Sequence, residues 1–222
     1  MKVCVLGAGG FIGRSLLQGR GWDGVTRKEL DLIDQRAVQE YFSKHEYDIV
    51  IHCAVVGGSR LKKDEGDVLR KNLLMFENIV RVFKGKLIYF SSGAALRGNP
   101  PTDPYGLSKW FIEKRIDTIP NAYCLRIWGC YGPGELPTRF SAVCKSEGYV
   151  VIDQDRYFDF IYIEDVRKIV QQYVTSNKEL VKYCDLVYPK KMLLSEWAEL
   201  FGAKWKVVDT TSLGESYISI PS

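Results

Sequence analysis

Tyr105-Gly-Leu-Ser-Lys109 sets a phenol and an amine four residues apart. On a helix that spacing puts both groups on one face, as neighbours. A cation beside a phenol favours the phenolate and draws its pKa down from about 10. Such a tyrosine can pass a proton to or from a hydroxyl or carbonyl near neutrality. The chain holds 13 tyrosines, so the spacing arises readily by chance and its surroundings must carry the argument. Just upstream, the apolar run Lys86-Leu-Ile-Tyr-Phe90 reads as a strand that ends in two hydroxyl residues, Ser91 and Ser92. In open α/β sheets that end of a strand is where ligands bind.

A second group of residues points to the same kind of site. Lys2 to Leu6 reads as a short buried strand, and Gly7, Gly10 and Gly13 follow at spacings of three before the helical run Phe11-Ile-Gly-Arg-Ser-Leu-Leu17. One glycine lets the chain turn sharply, one lets the backbone approach a pyrophosphate, and one lets the helix pack closely on the strand. The N–H groups of the first helical turn and the positive end of its dipole suit an anion. Gly7, Gly10, Phe11, Ile12 and Gly13 are therefore the expected dinucleotide cradle.

The elements that must hold these residues alternate. Gly24-Val-Thr26 is a short second strand, and Leu32 to Lys44 has helical periodicity with Asp34 near its start. Tyr47 to His52 is a third strand whose continuous apolar run suits burial on both faces. A long helix over residues 67 to 84 follows, then the strand at 86 to 90, a helix from about Pro104 to Ile116, and a strand over Ala122 to Ile127. Repeated β-α-β order predicts an α/β fold: a doubly wound parallel (Rossmann) sheet over residues 1–134. Past Gly132-Pro-Gly134 the pattern becomes irregular, with strands at 149–152 and 204–208 and helices at 164–173 and 195–201. Residues 135–222 are read as a small C-terminal substrate-binding lobe, open to receiving returning elements of the sheet. Trp197 and Trp205 are assigned to its core.

Composition excludes several classes. A formal net charge of +4, with Lys and Arg spread throughout, gives no footprint for nucleic acid. No segment approaches the roughly 18 apolar residues of a membrane span, and the glycines and Arg14 argue against a secretory leader. The six cysteines form no C-x-x-C pair and several sit in apolar runs, as expected of reduced thiols in a cytoplasmic protein. No metal site is expected. Of the two histidines, His45 reads as solvated and His52 as structural.

Glycine turn, serine pair and Tyr-x-x-x-Lys in this order resemble the short-chain dehydrogenase/reductase superfamily. More narrowly, the chain resembles its extended branch, the NAD-dependent epimerase/dehydratase family. The residues that carry this are Gly7-Ala-Gly-Gly-Phe-Ile-Gly13, Val50-Ile-His-Cys-Ala54, Asn72-Leu-Leu, Pro104-Tyr-Gly-Leu-Ser-Lys-Trp-Phe-Ile-Glu113, Leu125-Arg through Tyr131-Gly-Pro-Gly134, and Phe158-Asp-Phe-Ile-Tyr-Ile-Glu-Asp-Val166. Thr26-Arg-Lys-Glu-Leu-Asp-Leu-Ile-Asp34 and Val56-Gly-Gly-Ser59 look most like GDP-fucose synthase and related deoxysugar reductases.

The resemblance implies hydride transfer between a nicotinamide and a sugar carbon. Tyr105 would handle the hydroxyl proton, Lys109 would hold the nicotinamide ribose, and a serine would orient the sugar oxygen. Asp31 and Leu32 would meet the adenine edge, and Cys53, Ala54 and Val55 would pass under the adenosine ribose and pyrophosphate. The second strand ends in Thr26-Arg27-Lys28, and Arg27 suits a 2′-phosphate, so NADP(H) is expected, with NAD(H) the alternative.

Family members follow the fourth strand with a third hydroxyl residue where this chain has Gly93. Counting back thirteen residues from Tyr105 selects Ser92 instead. Ala94 and Ala95 stand where relatives carry acid–base groups, and Arg97 and Gly129 replace usual substrate-holding residues. What remains is reduction of a keto group, or the reverse oxidation, which the resemblance places on a nucleotide sugar. Ser91, Gly93, Arg126 and Arg156 are the candidate substrate contacts, with Arg139 and Arg167 as further guanidinium groups matched to phosphate. A 4-epimerase using bound NAD and a catalytically silent dinucleotide-binding protein are the alternatives. Pairing through the long helix and the Tyr105 helix would give a homodimer.

Overall fold

The structure is a computed structural model that describes residues 1–59, 61–176, 178 and 180–219. The chain packs as two compact units, residues 1–126 with 171–184 and residues 127–170 with 185–222. The boundary therefore falls eight residues before the expected 134/135, and residues 171–184 return to the first unit. Of the expected second lobe, residues 177, 179 and 220–222 lie outside the described residues.

The first unit opens with β1 (Val3–Leu6), α1 (Phe11–Leu17), β2 (Asp23–Val25), α2 (Gln35–Lys44) and β3 (Ile49–His52). It continues through α3 (Asp67–Val82), β4 (Lys86–Ser92), a 3-10 turn (Gly93–Leu96), α4 (Pro104–Ile116) and β5 (Ala122–Ile127). A later strand, which becomes β9 in chain order (Tyr183–Asp185), completes a six-stranded sheet of order β2-β1-β3-β4-β5-β9. The pairs β1–β2, β1–β3 and β3–β4 are parallel. All four residues of β1 and of β3 are buried, as the apolar runs require for strands covered on both faces. The order reverses between β1 and β3, so the crevice beyond their C-terminal ends is the topological switch point. Among the described residues there is one strand fewer on the β2 side than in the common 3-2-1-4-5-6 order of dinucleotide folds.

The helix expected from Leu32 begins instead at Gln35. Asp34 is its cap, accepting from the N–H groups of Arg36 at 2.9 Å and Ala37 at 3.1 Å. Leu32 and Ile33 belong to a turn in which Asp31 Oδ1 accepts from Ile33 N at 3.1 Å. Buried Asn78 on α3 donates to the carbonyls of Leu32 at 2.9 Å and Ile33 at 3.1 Å. That turn is thus pinned to the long helix.

Residues 171–184 are tied to the first unit by polar contacts that a periodicity argument cannot see. Lys86 Nζ donates to Tyr173 O at 2.9 Å, Lys182 Nζ to Ile119 O at 2.7 Å, and Tyr183 Oη to Glu113 O at 2.8 Å.

The second unit contains β6 (Gly129–Tyr131), α5 (Phe140–Glu147), β7 (Tyr149–Gln154) and β8 (Phe160–Tyr162). It also contains α7 (Leu194–Leu200) and β10 (Lys204–Asp209), while the intervening α6 (Ile163–Thr175) crosses the division. Two small parallel sheets pair β7 with β10 and β6 with β8. Phe158, Phe160, Trp197 and Phe201 pack with Cys144, Val150 and Ile152 as its core. Trp197 also donates Nε1–H to Phe158 O at 2.7 Å. Trp205 departs from its core assignment. It sits on a two-stranded ribbon, 39% exposed, and its indole N–H reaches Glu199 at 3.0 Å. Among the described residues no helix is long and apolar enough to cross a membrane.

Asn78→Ala removes both bonds to the 32–33 turn, one of them buried. Urea unfolding should show a loss of about 2 kcal/mol. A loss within experimental error would mean that the turn is held by other contacts.

Candidate active site

The glycine turn is shaped by packing at some positions and left open at others. A side chain at Gly7, where φ is +84°, would place its Cβ 2.6 Å from Ala54 N, and one at Gly13 would stand 2.4 Å from Gly7 O. Only bare backbone lets β1, α1 and the chain after β3 close on one another here. At Gly9 and Gly10 the nearest heavy atoms to a Cβ would be 3.8 and 3.4 Å away, so packing does not demand glycine there. Gly10 also begins α1 with no side-chain cap. Open backbone at the start of an uncapped helix fits a pyrophosphate. Phe11, Ile12 and Gly13 form the first helical turn, and Ala54 lies against Gly7, with Cys53 and Val55 beside it in sequence.

The end of β2 comes to the same place, since Gly7 N and Ala8 N both donate to Val25 O, at 3.0 and 3.1 Å. Arg27 is exposed, 3.6 Å from Asp31. One carboxylate does stand near this strand end. Glu29 accepts from Thr26 N at 2.7 Å and Thr26 Oγ1 at 2.8 Å, which lowers its pKa and engages it in the turn. Leu32 is buried.

Helix α4 starts cleanly, with Pro104 in its first turn and Asp103 Oδ1 accepting from Gly106 N at 2.7 Å. Its buried face is polar, made of Ser108, Lys109 and Glu113 beside Ile112 and Ile116. Lys109 is 3% exposed, and its Nζ donates to Tyr89 Oη and to Phe90 O, both at 2.8 Å. The same amine lies 5.7 Å from the Tyr105 ring centre. The structure therefore brings the predicted phenol and amine together at β4. Burial pushes the Lys109 ammonium down to about 8, against an opposing lift from Cys124, Glu113 and Cys53. His52, buried on β3, is held down to about 3 by burial, with Lys109 adding to the effect, and is neutral at pH 7. Its Nδ1 has no hydrogen-bond partner.

Tyr105 is met at its ring and at its carbonyl by residues that sequence reasoning did not assign to the site. Gly58, with φ +73°, lies against its ring, and a Cβ there would stand 2.8 Å from Cε2 and Cζ. Asp64 holds that glycine by accepting from Gly58 N at 3.0 Å with each oxygen. Buried Asn72 accepts from Val56 N at 2.9 Å and donates to Val56 O and Ser108 Oγ, each at 3.0 Å. Ser108 Oγ in turn donates to Tyr105 O at 2.7 Å. The one available signal was an interior helix face carrying Ser and Glu where an apolar stripe is the rule.

The hydroxyl and guanidinium candidates separate. Ser92 is buried at the end of β4, and its Oγ accepts from Ala94 N at 3.2 Å as it caps the turn that contains Gly93. Ser91 Oγ donates to Glu113 at 2.6 Å, and Arg126 forms a two-pronged pair with the same carboxylate at 3.0 and 2.8 Å. Both are engaged in an internal clamp between α4, β4 and β5. In the second unit, Arg156 Nε reaches Gln154 O at 3.4 Å and Arg167 pairs with Glu164 at 2.7 Å. Arg139 is the N-cap residue of α5. Among the described residues no group of three or more His, Cys, Asp or Glu is placed to hold a metal.

A parallel sheet with a glycine turn at its switch point, and a tyrosine–lysine pair on the helix after β4, define an α/β protein of the doubly wound class. The profile of the NAD dependent epimerase/dehydratase family matches residues 3–186, and the chain belongs to that family. It is 37% identical over 133 residues to UDP-glucose 4-epimerase of Mus musculus, covering 49% of this chain and 38% of that protein. To UDP-glucose 4-epimerase of Pongo abelii it is 34% identical over 226 residues, covering 79% and 64%. These matches take in from about two fifths to just under two thirds of those proteins. In fold it is similar to dTDP-4-dehydrorhamnose reductase from Bacillus anthracis str. Ames, solved with NADP. The TM-score is 0.81 at 19% identity, with 94% of this chain and 85% of that one covered.

Burial of Lys109 has a signature in stability. The folded chain binds this proton with a pKa of about 8, against about 10.4 when unfolded. Below pH 8 the amine is charged in both states and the burial cost stands in full. Between pH 8 and 10.4 the folded chain sheds the proton first and the cost lifts. Lys109→Met has no such charge, so wild type should gain on it by roughly 2–3 kcal/mol from pH 7 to pH 10. A gap in urea-unfolding free energy that does not change with pH would contradict a buried, titrating Lys109.

Proposed function

We propose that the chain is an NADPH-dependent reductase of a nucleotide-activated keto-sugar, acting as a homodimer in the cytoplasm. The observation that carries this reading is the Tyr105–Lys109 pair, held at the end of β4 by a loop that starts at the glycine turn. Residues 7–13 and 53–55 would hold the dinucleotide's phosphates and ribose, Asp31 and Leu32 its adenine, and Lys109 its nicotinamide ribose. Once bound, a reduced nicotinamide supplies the hydride. The chain's own groups do the rest. Tyr105 gives its proton to the sugar oxygen, Lys109 keeps a positive charge beside the phenol as it ionises, and Ser92 orients the carbonyl. Exposed Arg27 supports the choice of NADPH, because a guanidinium matches a 2′-phosphate. Arg156 is the phosphate candidate of the second unit. Phe111, 44% exposed on α4, supports pairing of two copies through this face.

Similarity to UDP-glucose 4-epimerases at 34% identity favours one second reading, 4-epimerisation with bound NAD by the same tyrosine. Mixing the protein with NADPH and GDP-, UDP- or dTDP-4-keto-6-deoxy sugars, and following the loss of NADPH absorbance, separates the two. The reductase reading expects turnover that falls about 10²- to 10⁴-fold in Tyr105→Phe. Conversion of UDP-galactose to UDP-glucose without net NADPH use would favour the epimerase. Tight dinucleotide binding with neither activity would leave a silent binding protein.

Cofactor choice has its own test. Arg27→Ala should weaken NADPH binding about tenfold and leave NADH binding unchanged. Equal losses for both dinucleotides, or tighter NADH binding by the wild type, would remove the argument from Arg27.

A further inference from the structure

Tyr89 occupies the middle of β4, where a buried parallel strand ordinarily carries an apolar side chain. It is 2% exposed, opposite His52 in the strand register and edge-on to Phe76 at 5.3 Å. Its hydroxyl is 2.8 Å from Lys109 Nζ, and the carbonyl of the next residue, Phe90, accepts from the same amine at 2.8 Å.

The groups facing Lys109 come from every element packed around it. They are His52 and Cys53 at the end of β3, Tyr89 on β4, Tyr105 and Glu113 on α4, and Cys124 on β5. His52 is neutral, and burial keeps both thiols protonated. The Glu113 carboxylate is bonded to Ser91 and Arg126. Two oxygens of β4 accept directly from the amine, and these differ in kind. A carbonyl can only accept, so it favours the ammonium. A phenol accepts from an ammonium and donates to a neutral amine.

We propose that Tyr89 is a positioning residue whose hydroxyl keeps the Lys109 amine fixed beside Tyr105 in both of its protonation states. The inference rests on the reading of Tyr105 and Lys109 as the working pair. It adds a third residue to that pair, from a strand interior where no catalytic role was expected. Titration of Lys109 then need not cost the site its geometry, because the bond to Tyr89 reverses direction while the atoms stay in place.

The test is an NMR titration of the full chain without cofactor or substrate. Lysine is labelled at ¹³Cε and tyrosine at ¹³Cζ, with signals assigned through Lys109→Arg and Tyr89→Phe. In wild type, Tyr89 ¹³Cζ should shift with an inflection at the pH where Lys109 titrates. In Tyr89→Phe, Lys109 should titrate about one pH unit lower, because the bond to the charged amine is the stronger of the two that are lost. An unchanged Lys109 midpoint, or a Tyr89 signal blind to Lys109, overturns the assignment. Should Tyr89→Phe fail to fold, the wild-type inflection decides alone. Keto-sugar reduction without this coupling would reject Tyr89's role and keep the reductase. Coupling in a chain that turns over no sugar nucleotide would reject the reductase instead.

Discussion

A lysine amine with 3% exposure can be kept inside an α/β layer only if polar atoms stand ready to meet it. In this protein the first unit is arranged around that requirement. β4 turns a phenol and a carbonyl toward the amine, α4 carries it on a face that also holds Ser108 and Glu113, and β3 contributes a neutral His52. Each of these would be a fault in an ordinary hydrophobic layer. Together they meet the charge on one lysine, whose amine lies 5.7 Å from the ring centre of Tyr105.

Two further devices aim that pair. The Glu113 carboxylate joins α4 to β4 through Ser91 and to β5 through Arg126, so the helix cannot slide along the sheet without breaking a part-buried ion pair. On the other side, Asp64 and Gly58 bring the loop after β3 against the Tyr105 ring, while Asn72 ties that loop to Ser108. The same loop begins where Ala54 meets Gly7. A continuous run of short contacts thus leads from the glycine turn to the phenol, all within one compact unit.

Much of this was legible from residue types. Strands of unbroken apolar residues, glycines at threes and the Tyr-x-x-x-Lys spacing point to the elements and to the phenol and amine that the fold brings together. What escaped depends on distance in space. Nothing in Tyr89-Phe90 announces a lysine partner twenty residues away, and Gly58 looks like any loop glycine until the ring beside it is seen. Ser91 and Arg126 read as substrate contacts because a hydroxyl and a guanidinium suit phosphates and sugars. Their engagement by Glu113 follows from the packing of α4 on two strands, which periodicity does not report. Likewise Trp205 reads as core from its strand position, yet a strand in a two-stranded ribbon has an open side.

The most direct measurement is a crystal structure of the chain grown with NADP⁺. The account predicts the pyrophosphate over Gly10–Gly13 and the Lys109 amine within hydrogen-bond reach of the nicotinamide ribose, with the ring beside Tyr105. A dinucleotide bound elsewhere, or one held at the glycine turn with its nicotinamide in solvent and Lys109 bonded to Tyr89 and Phe90 alone, would contradict it.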